Sequence, residues 1–123
     1  MNVRFPLNPR KRAYLKGQWG EKVAAFYLRL KGYEILENRF KTPLGEIDLL
    51  ARKGKTLIAI EVKSRSSREE ALMALTPFQQ RRIEKALLFY VRRHPFPLDL
   101  RFDVILICPW KWPYHIQGAW LSQ

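Results

Sequence analysis

Apolar residues recur at helical spacing through the first quarter of the chain. Leu15, Trp19, Val23, Phe26, Tyr27 and Leu30 fall on one stripe of a helix predicted from about Tyr14 to Lys31. Gly32 then supplies the stop. Glu21 lies off that stripe, among Gly17, Ala24, Ala25 and Leu28. This second face is small and apolar, so it is expected to be partly buried, and a carboxylate there needs a partner.

Three short strand patterns follow, at about Glu34 to Arg39, Glu46 to Ala51 and Thr56 to Lys63. Lys53-Gly54-Lys55 separates the last two and makes a β-hairpin the natural connection. Ser64 to Leu75 is polar and then mildly apolar, which predicts a loop with one helical turn. Thr76-Pro77-Phe78-Gln79 has the form of a helix start: Thr as N-cap, Pro in the first position and Gln closing a capping box. That helix should run to about Arg93, bury Ile83, Ala86, Leu87 and Tyr90, and end at His94-Pro95. Phe102 to Ile107 reads as a buried core strand. The order helix, three strands, helix, strand predicts an α/β layer architecture with a small mixed sheet.

A length of 123 residues argues for one domain. Residues 1–12 contain Pro6, Pro9 and the cluster Arg10-Lys11-Arg12, and are expected to form a flexible basic arm. Residues 13–108 carry the folded domain. Residues 109–123 hold Trp110, Trp112, Tyr114 and Trp120, an aromatic extension expected to pack on the domain or on a partner subunit.

Charge then narrows the partners. Twenty-three Lys and Arg against eleven Asp and Glu leave a net +12, a balance that attracts polyanions and says little about fold. Nucleic acid is the favoured partner, because phosphate neutralisation supplies much of the affinity in such complexes. Cys108 is the sole cysteine, so an internal disulfide and a cysteine-built zinc site are both excluded. His94 and His115 stand alone in the sequence and suggest no ligand set. The first residues lack the apolar core of a signal peptide, and no apolar run approaches a membrane span. A cytoplasmic protein without membrane attachment is expected.

The hairpin brings chemistry into the pattern. Side chains alternate along a strand, so Glu46, Asp48 and Leu50 share one face, as do Glu61 and Lys63. If the turn centres on Gly54-Lys55, Lys53 pairs with Thr56, Leu50 with Ala59, Asp48 with Glu61 and Glu46 with Lys63. Directly opposed like charges destabilise a sheet, and a divalent cation between them reverses that effect. An oxygen-only donor set suits Mg²⁺ or Mn²⁺. Glu46 and Lys63 read alone would be an ordinary cross-strand ion pair.

Asp48 with Glu61-Val62-Lys63 on a hairpin resembles the PD-(D/E)xK, or restriction-endonuclease-like, superfamily. Gly17-Gln-Trp-Gly-Glu21, Gly32-Tyr33, Glu37-Asn38-Arg39, Gly45-Glu-Ile-Asp-Leu49, Glu61-Val-Lys-Ser-Arg65 and Arg101-Phe-Asp-Val104 are similar, in order and spacing, to its YraN-like bacterial group. The resemblance implies a helix–three strands–helix–strand nuclease-like core for residues 13–108. It implies that Asp48 and Glu61 bind Mg or Mn, with the Val62 carbonyl as a further ligand. It also implies that Lys63 orients or activates water, and that Glu21 is the first-helix acid of resolvase-type sites. Ile47 stands where the superfamily's name has Pro.

The function expected from this resemblance is a metal-dependent endonuclease hydrolysing DNA, rather than RNA, with branched or damaged DNA as the resolvase-like choice. A protein of nuclease-like fold that binds nucleic acid or a partner without turnover is the rival. Arg10, Lys11, Arg12, Arg65, Gln80, Arg81, Arg82 and Lys85 are the expected nucleic-acid contacts. Related nucleases also bring a Gln or Lys from the second long helix near the site, which leaves Gln79 and Gln80 both open. A symmetric homodimer would suit cutting two strands at a junction.

Overall fold

Five strands form one mixed sheet in their sequential order, and helices cover both of its faces. The structure, a computed structural model, describes residues 9–94 and 99–122. The elements are α1 (Pro9–Leu30), β1 (Glu34–Lys41), β2 (Glu46–Lys53), β3 (Thr56–Ser64), α2 (Arg68–Met73), α3 (Pro77–Arg93), β4 (Asp99–Ile107) and β5 (Tyr114–Trp120). β1, β2 and β3 form an antiparallel meander, β4 lies parallel to β3, and β5 closes the sheet antiparallel to β4. The α2–α3 segment makes the crossover that a parallel pair requires. The mixed α/β architecture matches the expectation.

Alternation along the central strands builds two cores. Leu49, Ala51, Ile58, Ile60 and Ile105 face α1, where Ala24, Ala25 and Leu28 meet them. Ile47, Leu50, Leu57, Ala59 and Phe102 face α3 and pack on Ile83, Ala86 and Leu87. The hairpin turn falls as expected, with Gly54 at φ 60° and Lys53 opposite Thr56. α3 starts at the Thr76 N-cap, whose side chain accepts from the Gln79 backbone N–H at 3.2 Å, with Pro77 following. The reciprocal half of the capping box does not form: Gln79 Oε1 is buried without a hydrogen-bond partner.

Three expectations need correction. First, α1 begins at Pro9 rather than Tyr14, so Arg10-Lys11-Arg12 belongs to its first turns. Pro is tolerated there because the first helical N–H groups have no partner to lose. Residues 1–8 lie outside the described residues, as do the side chains of Arg10, Lys11 and Arg12.

Second, the large apolar stripe of α1 is not its buried face. Trp19, Phe26 and Leu30 are 68%, 64% and 66% exposed, while Gly20, Ala24, Ala25 and Leu28 meet the sheet. The cause is approach distance. A Cβ on Gly20 would collide with Ser64 Oγ at the end of β3, so only small residues fit along this contact.

Third, the C-terminal extension contains a strand. β5 pairs with β4, and Trp120 stacks on Phe102 at 5.1 Å between ring centroids, whereas Trp110 and Trp112 stay exposed. Among the described residues no helix is long and apolar enough to cross a membrane. Cys108 is free, as a sole cysteine must be within one chain, and it is buried.

Candidate metal and phosphodiester site

The site lies where the sheet forks. β2 and β3 are paired from Lys53–Thr56 to Leu49–Ile60, and there their ladder ends. β1 stays paired with β2 as far as Lys41–Glu46, and β4 with β3 as far as Ser64–Ile107. The two middle strands therefore part between well-held neighbours. At the crotch, Val62 N–H donates to Asp48 Oδ2 at 2.9 Å in place of a backbone carbonyl. Gly45 holds the free end of β2 against α3, since a Cβ there would strike the Arg82 backbone.

This geometry alters the expected register while keeping its consequence. Leu50 pairs with Ala59 as counted from the turn, but Asp48–Glu61 and Glu46–Lys63 are not ladder pairs, because the strands have separated. The two acids still meet through their side chains. Burial, the Glu61 charge and, more weakly, Glu21 push the Asp48 carboxyl up to about 8, against the Val62 hydrogen bond that lowers it. Glu61 is also raised, first by burial, with Lys63 opposing. Lys63 is buried and its Nζ lies 3.1 Å from Glu61 Oε1. The pairing open to Lys63 is thus with Glu61 on its own strand, not with Glu46.

Glu21 reaches this neighbourhood from the small face of α1. Its Oε2 accepts from Arg39 Nε at 2.7 Å, so its carboxylate is held by an arginine and does not join the acid pair. Arg39 makes this contact from a left-handed backbone conformation, φ 53°, unusual for a residue with a Cβ.

Three clefts converge on the acids. One of about 370 Å³ is lined by Glu21, Asp48, Glu61, Lys63, Ser64 and Arg65. Another, about 210 Å³, runs past Glu21, Arg39, Lys41, Glu46 and Asp48. The third, about 270 Å³, brings Gln79 and Arg82 of α3 to Asp48 and Glu61.

Of the two glutamines left open by the sequence, Gln79 lines a cleft with the acids, and its Oε1 has no other partner. Arg65 and Arg82 also border these clefts. Arg81 and Lys85 instead line a roomier cavity of about 570 Å³ between α3, β4 and β5, beside Trp120 and away from the acids. Ser64, whose buried Oγ has no partner, was not legible from sequence because only the close approach of Gly20 buries it. Arg39 was visible only as part of a motif; its backbone conformation carries no sequence signal.

The donor set fits a hard divalent cation. Two carboxylates share a desolvated crotch where burial raises both pKa values, and the Glu61 charge raises that of Asp48 further. The Val62 N–H already points to Asp48, and in an extended strand the carbonyl of the same residue points to the same edge. Oxygen donors of this kind are what Mg²⁺ and Mn²⁺ use, completed by water. Among the described residues no three of His, Cys, Asp and Glu gather as a ready metal cluster; Glu21 would be the third and is bound to Arg39.

A forked α/β sheet with paired acids and a lysine two residues on is compatible with a nuclease-like core. The profile of the uncharacterised protein family UPF0102 matches residues 20–107. A UPF0102 protein of Chelativorans sp. is 47% identical over 116 residues, covering 93% of this chain and 94% of its own. One from Parvibaculum lavamentivorans is 49% identical over 110 residues, covering 88% and 83%. Another, from Bartonella henselae, is 44% identical over 115 residues, covering 92% and 91%. The chain belongs to the UPF0102 family, the YraN-like group of the restriction-endonuclease-like superfamily.

Proposed function

We propose that this protein is a Mg²⁺- or Mn²⁺-dependent endonuclease that hydrolyses phosphodiester bonds of DNA. The observation that carries this reading is the acid pair itself. Asp48 and Glu61 are buried against each other, with their charged forms disfavoured, at a crotch in the sheet that opens to solvent clefts. A structural role gives no reason to keep that arrangement, because like charges facing across a sheet destabilise it.

Asp48 and Glu61 would hold the metal with the Val62 carbonyl. When bound, the cation polarises the phosphate and lowers the pKa of a water. Lys63, buried beside Glu61, contributes a fixed positive charge where negative charge grows on the phosphate oxygens. Arg65 and Arg82 at the cleft mouths neutralise neighbouring phosphates. Gln79 can orient a water through its unused amide oxygen. In the overall step the water oxygen bonds to phosphorus, one P–O ester bond breaks, the departing sugar oxygen gains a proton, and the water gives up another to solvent.

The test is cleavage of linear, nicked and four-way-junction DNA, and of RNA, with Mg²⁺ or Mn²⁺. Asp48→Asn and Lys63→Ala run beside the unchanged protein. Metal-dependent cutting of DNA that disappears in both variants is expected. Tight, salt-sensitive binding with no cutting of any substrate would overturn hydrolysis. It would leave the nucleic-acid-binding reading, which the Arg39-held Glu21 favours because the third acid is then committed elsewhere.

A further inference from the structure

The exposed face of α1 is unlike that of an ordinary surface helix. Taking about 100° per residue, Trp19, Phe26 and Leu30 project within a narrow arc, and all three are largely exposed. Lys22 and Arg29 form the next row around the helix, also exposed, with Gln18 beyond them. Past that row opens a cleft of about 420 Å³ lined by Gln18, Lys22, Arg29, Asn38 and Arg39, with Glu21 at its inner side. Glu21 and Arg39 also line the cleft that contains Asp48. An aromatic ridge, a basic row and the acid pair therefore lie along one continuous path.

Charge selects the occupant of that path. α1 carries Arg10, Lys11, Arg12, Lys16, Lys22 and Arg29 against a single acid, and that acid, Glu21, faces inward onto Arg39. A second copy of a chain with net +12 would meet this face with like charge. A polyanion meets it with opposite charge, and one that also offers flat apolar faces would use the rings. Duplex DNA hides its base faces within the stack, whereas unpaired nucleotides expose them. Aromatic side chains beside a cationic groove are the physical basis of single-strand binding.

We propose that the α1 face of Trp19, Phe26, Lys22 and Arg29 binds an unpaired strand of the DNA substrate and leads its backbone through the Arg39 cleft toward Asp48 and Glu61. The rings at Trp19 and Phe26 are two turns apart, about 10 Å along the axis. That spacing lets each ring stack on a different base of one strand while Lys22 and Arg29 neutralise the phosphates between. This rests on the endonuclease reading and narrows its substrate to DNA with a single-stranded segment flanking the scissile bond.

The experiment is fluorescence anisotropy with a labelled 20-nucleotide single strand and a 20-base-pair duplex, in Ca²⁺ to hold the chain in its metal-bound form. The unchanged protein is compared with Trp19→Ala, Phe26→Ala, Trp19→Phe and the Lys22→Ala/Arg29→Ala double variant. Loss of either ring should weaken single-strand binding at least fivefold and duplex binding less than twofold, with Trp19→Phe restoring most of it. The double variant should flatten the salt dependence of single-strand binding by about 1.4 in log–log slope. These side chains are exposed, so melting curves should not move, which separates lost binding from lost folding.

Equal losses on single strand and duplex, or none on the single strand, would overturn the proposal. So would vesicles of phosphatidylserine and phosphatidylcholine, or a self-associated form seen by sedimentation, that depend on Trp19 while single-strand binding does not. Metal-dependent cutting of duplex DNA untouched by Trp19→Ala would remove this inference and leave the endonuclease reading standing. Absence of binding to any nucleic acid would remove both.

Discussion

Two buried acids, on strands separated in the sheet by β3 alone, are treated in opposite ways. Asp103 on β4 is fully buried, and its carboxylate is completely engaged. It accepts from Arg101 Nε and Nη2, both at 2.8 Å, from His115 Nε2 at 2.7 Å and from the Gly118 N–H at 2.9 Å. Burial alone would raise its pKa, but the bonds from His115, Arg101 and Gly118 outweigh that and hold it below the usual carboxylate value. Lys31 Nζ lies 2.9 Å from His115 Nδ1, so the imidazole bridges Lys31 to Asp103. Asp48 has one backbone hydrogen bond, an acidic neighbour and a pKa pushed up to about 8. The protein supplies every partner Asp103 needs and leaves Asp48 short of positive charge. The first acid ties β5 to the domain; the second is left with an acidic neighbour and no cationic partner of its own.

Removing each acid should expose this difference most strongly. Asp103→Ala leaves Arg101 and His115 without their shared acceptor at the β4–β5 edge. Truncating one partner of a buried charged network is worth about 3–5 kcal/mol, so the urea midpoint should fall sharply and β5 should lose amide protection. Asp48→Asn should leave the metal-free fold as stable or more so. Its signature is instead the loss of divalent stabilisation, about 2.7 kcal/mol for a cation present at a hundred times its Kd. A large unfolding penalty from Asp48→Asn without metal would break the comparison.

Sequence patterns exposed the acid of the candidate site far better than the structural one. Asp48 and Glu61 were legible because a two-residue turn at Gly54-Lys55 fixes the count back along both strands. The fork beyond Leu49–Ile60 was not, since it depends on α3 holding Gly45 and on strand pairing to outer neighbours. Asp103 and His115 lay twelve residues apart with no motif joining them, so His115 read as isolated. Only the β4–β5 pairing brings them together. The first helix misled for a related reason: periodicity locates apolar stripes, but the distance between helix and sheet decides which stripe is buried. At Gly20, Ala24 and Ala25 that distance admits only small side chains.

The pH response should separate the same two acids. For Asp48 the folded pKa lies above its unfolded value of 3.8, so between about 4 and 8 the folded state holds more protons. Its contribution is fully present below the unfolded value and is lost as pH rises through about 8. Glu61 acts in the same direction. Asp103, with its folded pKa lowered, contributes above its unfolded value and loses that contribution as pH falls through the folded one. Metal-free protein should therefore be less stable to urea at pH 8.5 than at pH 6.5. Saturating Mg²⁺ or Mn²⁺ should reverse that slope by favouring the ionised acids, and Asp48→Asn should flatten it in both conditions.

The two arginines that serve acids here give the smallest and finest test. Arg101 grips a fully buried carboxylate with two nitrogens, whereas Arg39 meets the part-exposed Glu21 from a strained backbone. A part-exposed pair is worth about 0–1 kcal/mol, and positive φ in a residue with a Cβ works against it. Arg39→Gln should thus destabilise by less than about 1 kcal/mol. Arg39→Gly should be close to neutral, because relief of the left-handed backbone, about 1–2 kcal/mol, offsets the lost pair and the extra freedom glycine gives the unfolded chain. Arg101→Gln, by contrast, strands a buried charge and should approach the Asp103→Ala loss. If Arg39→Gln proved as damaging in urea as Arg101→Gln, the Glu21 contact would be a second structural clamp. A small loss is what a part-exposed pair at a cleft, rather than a structural clamp, should give.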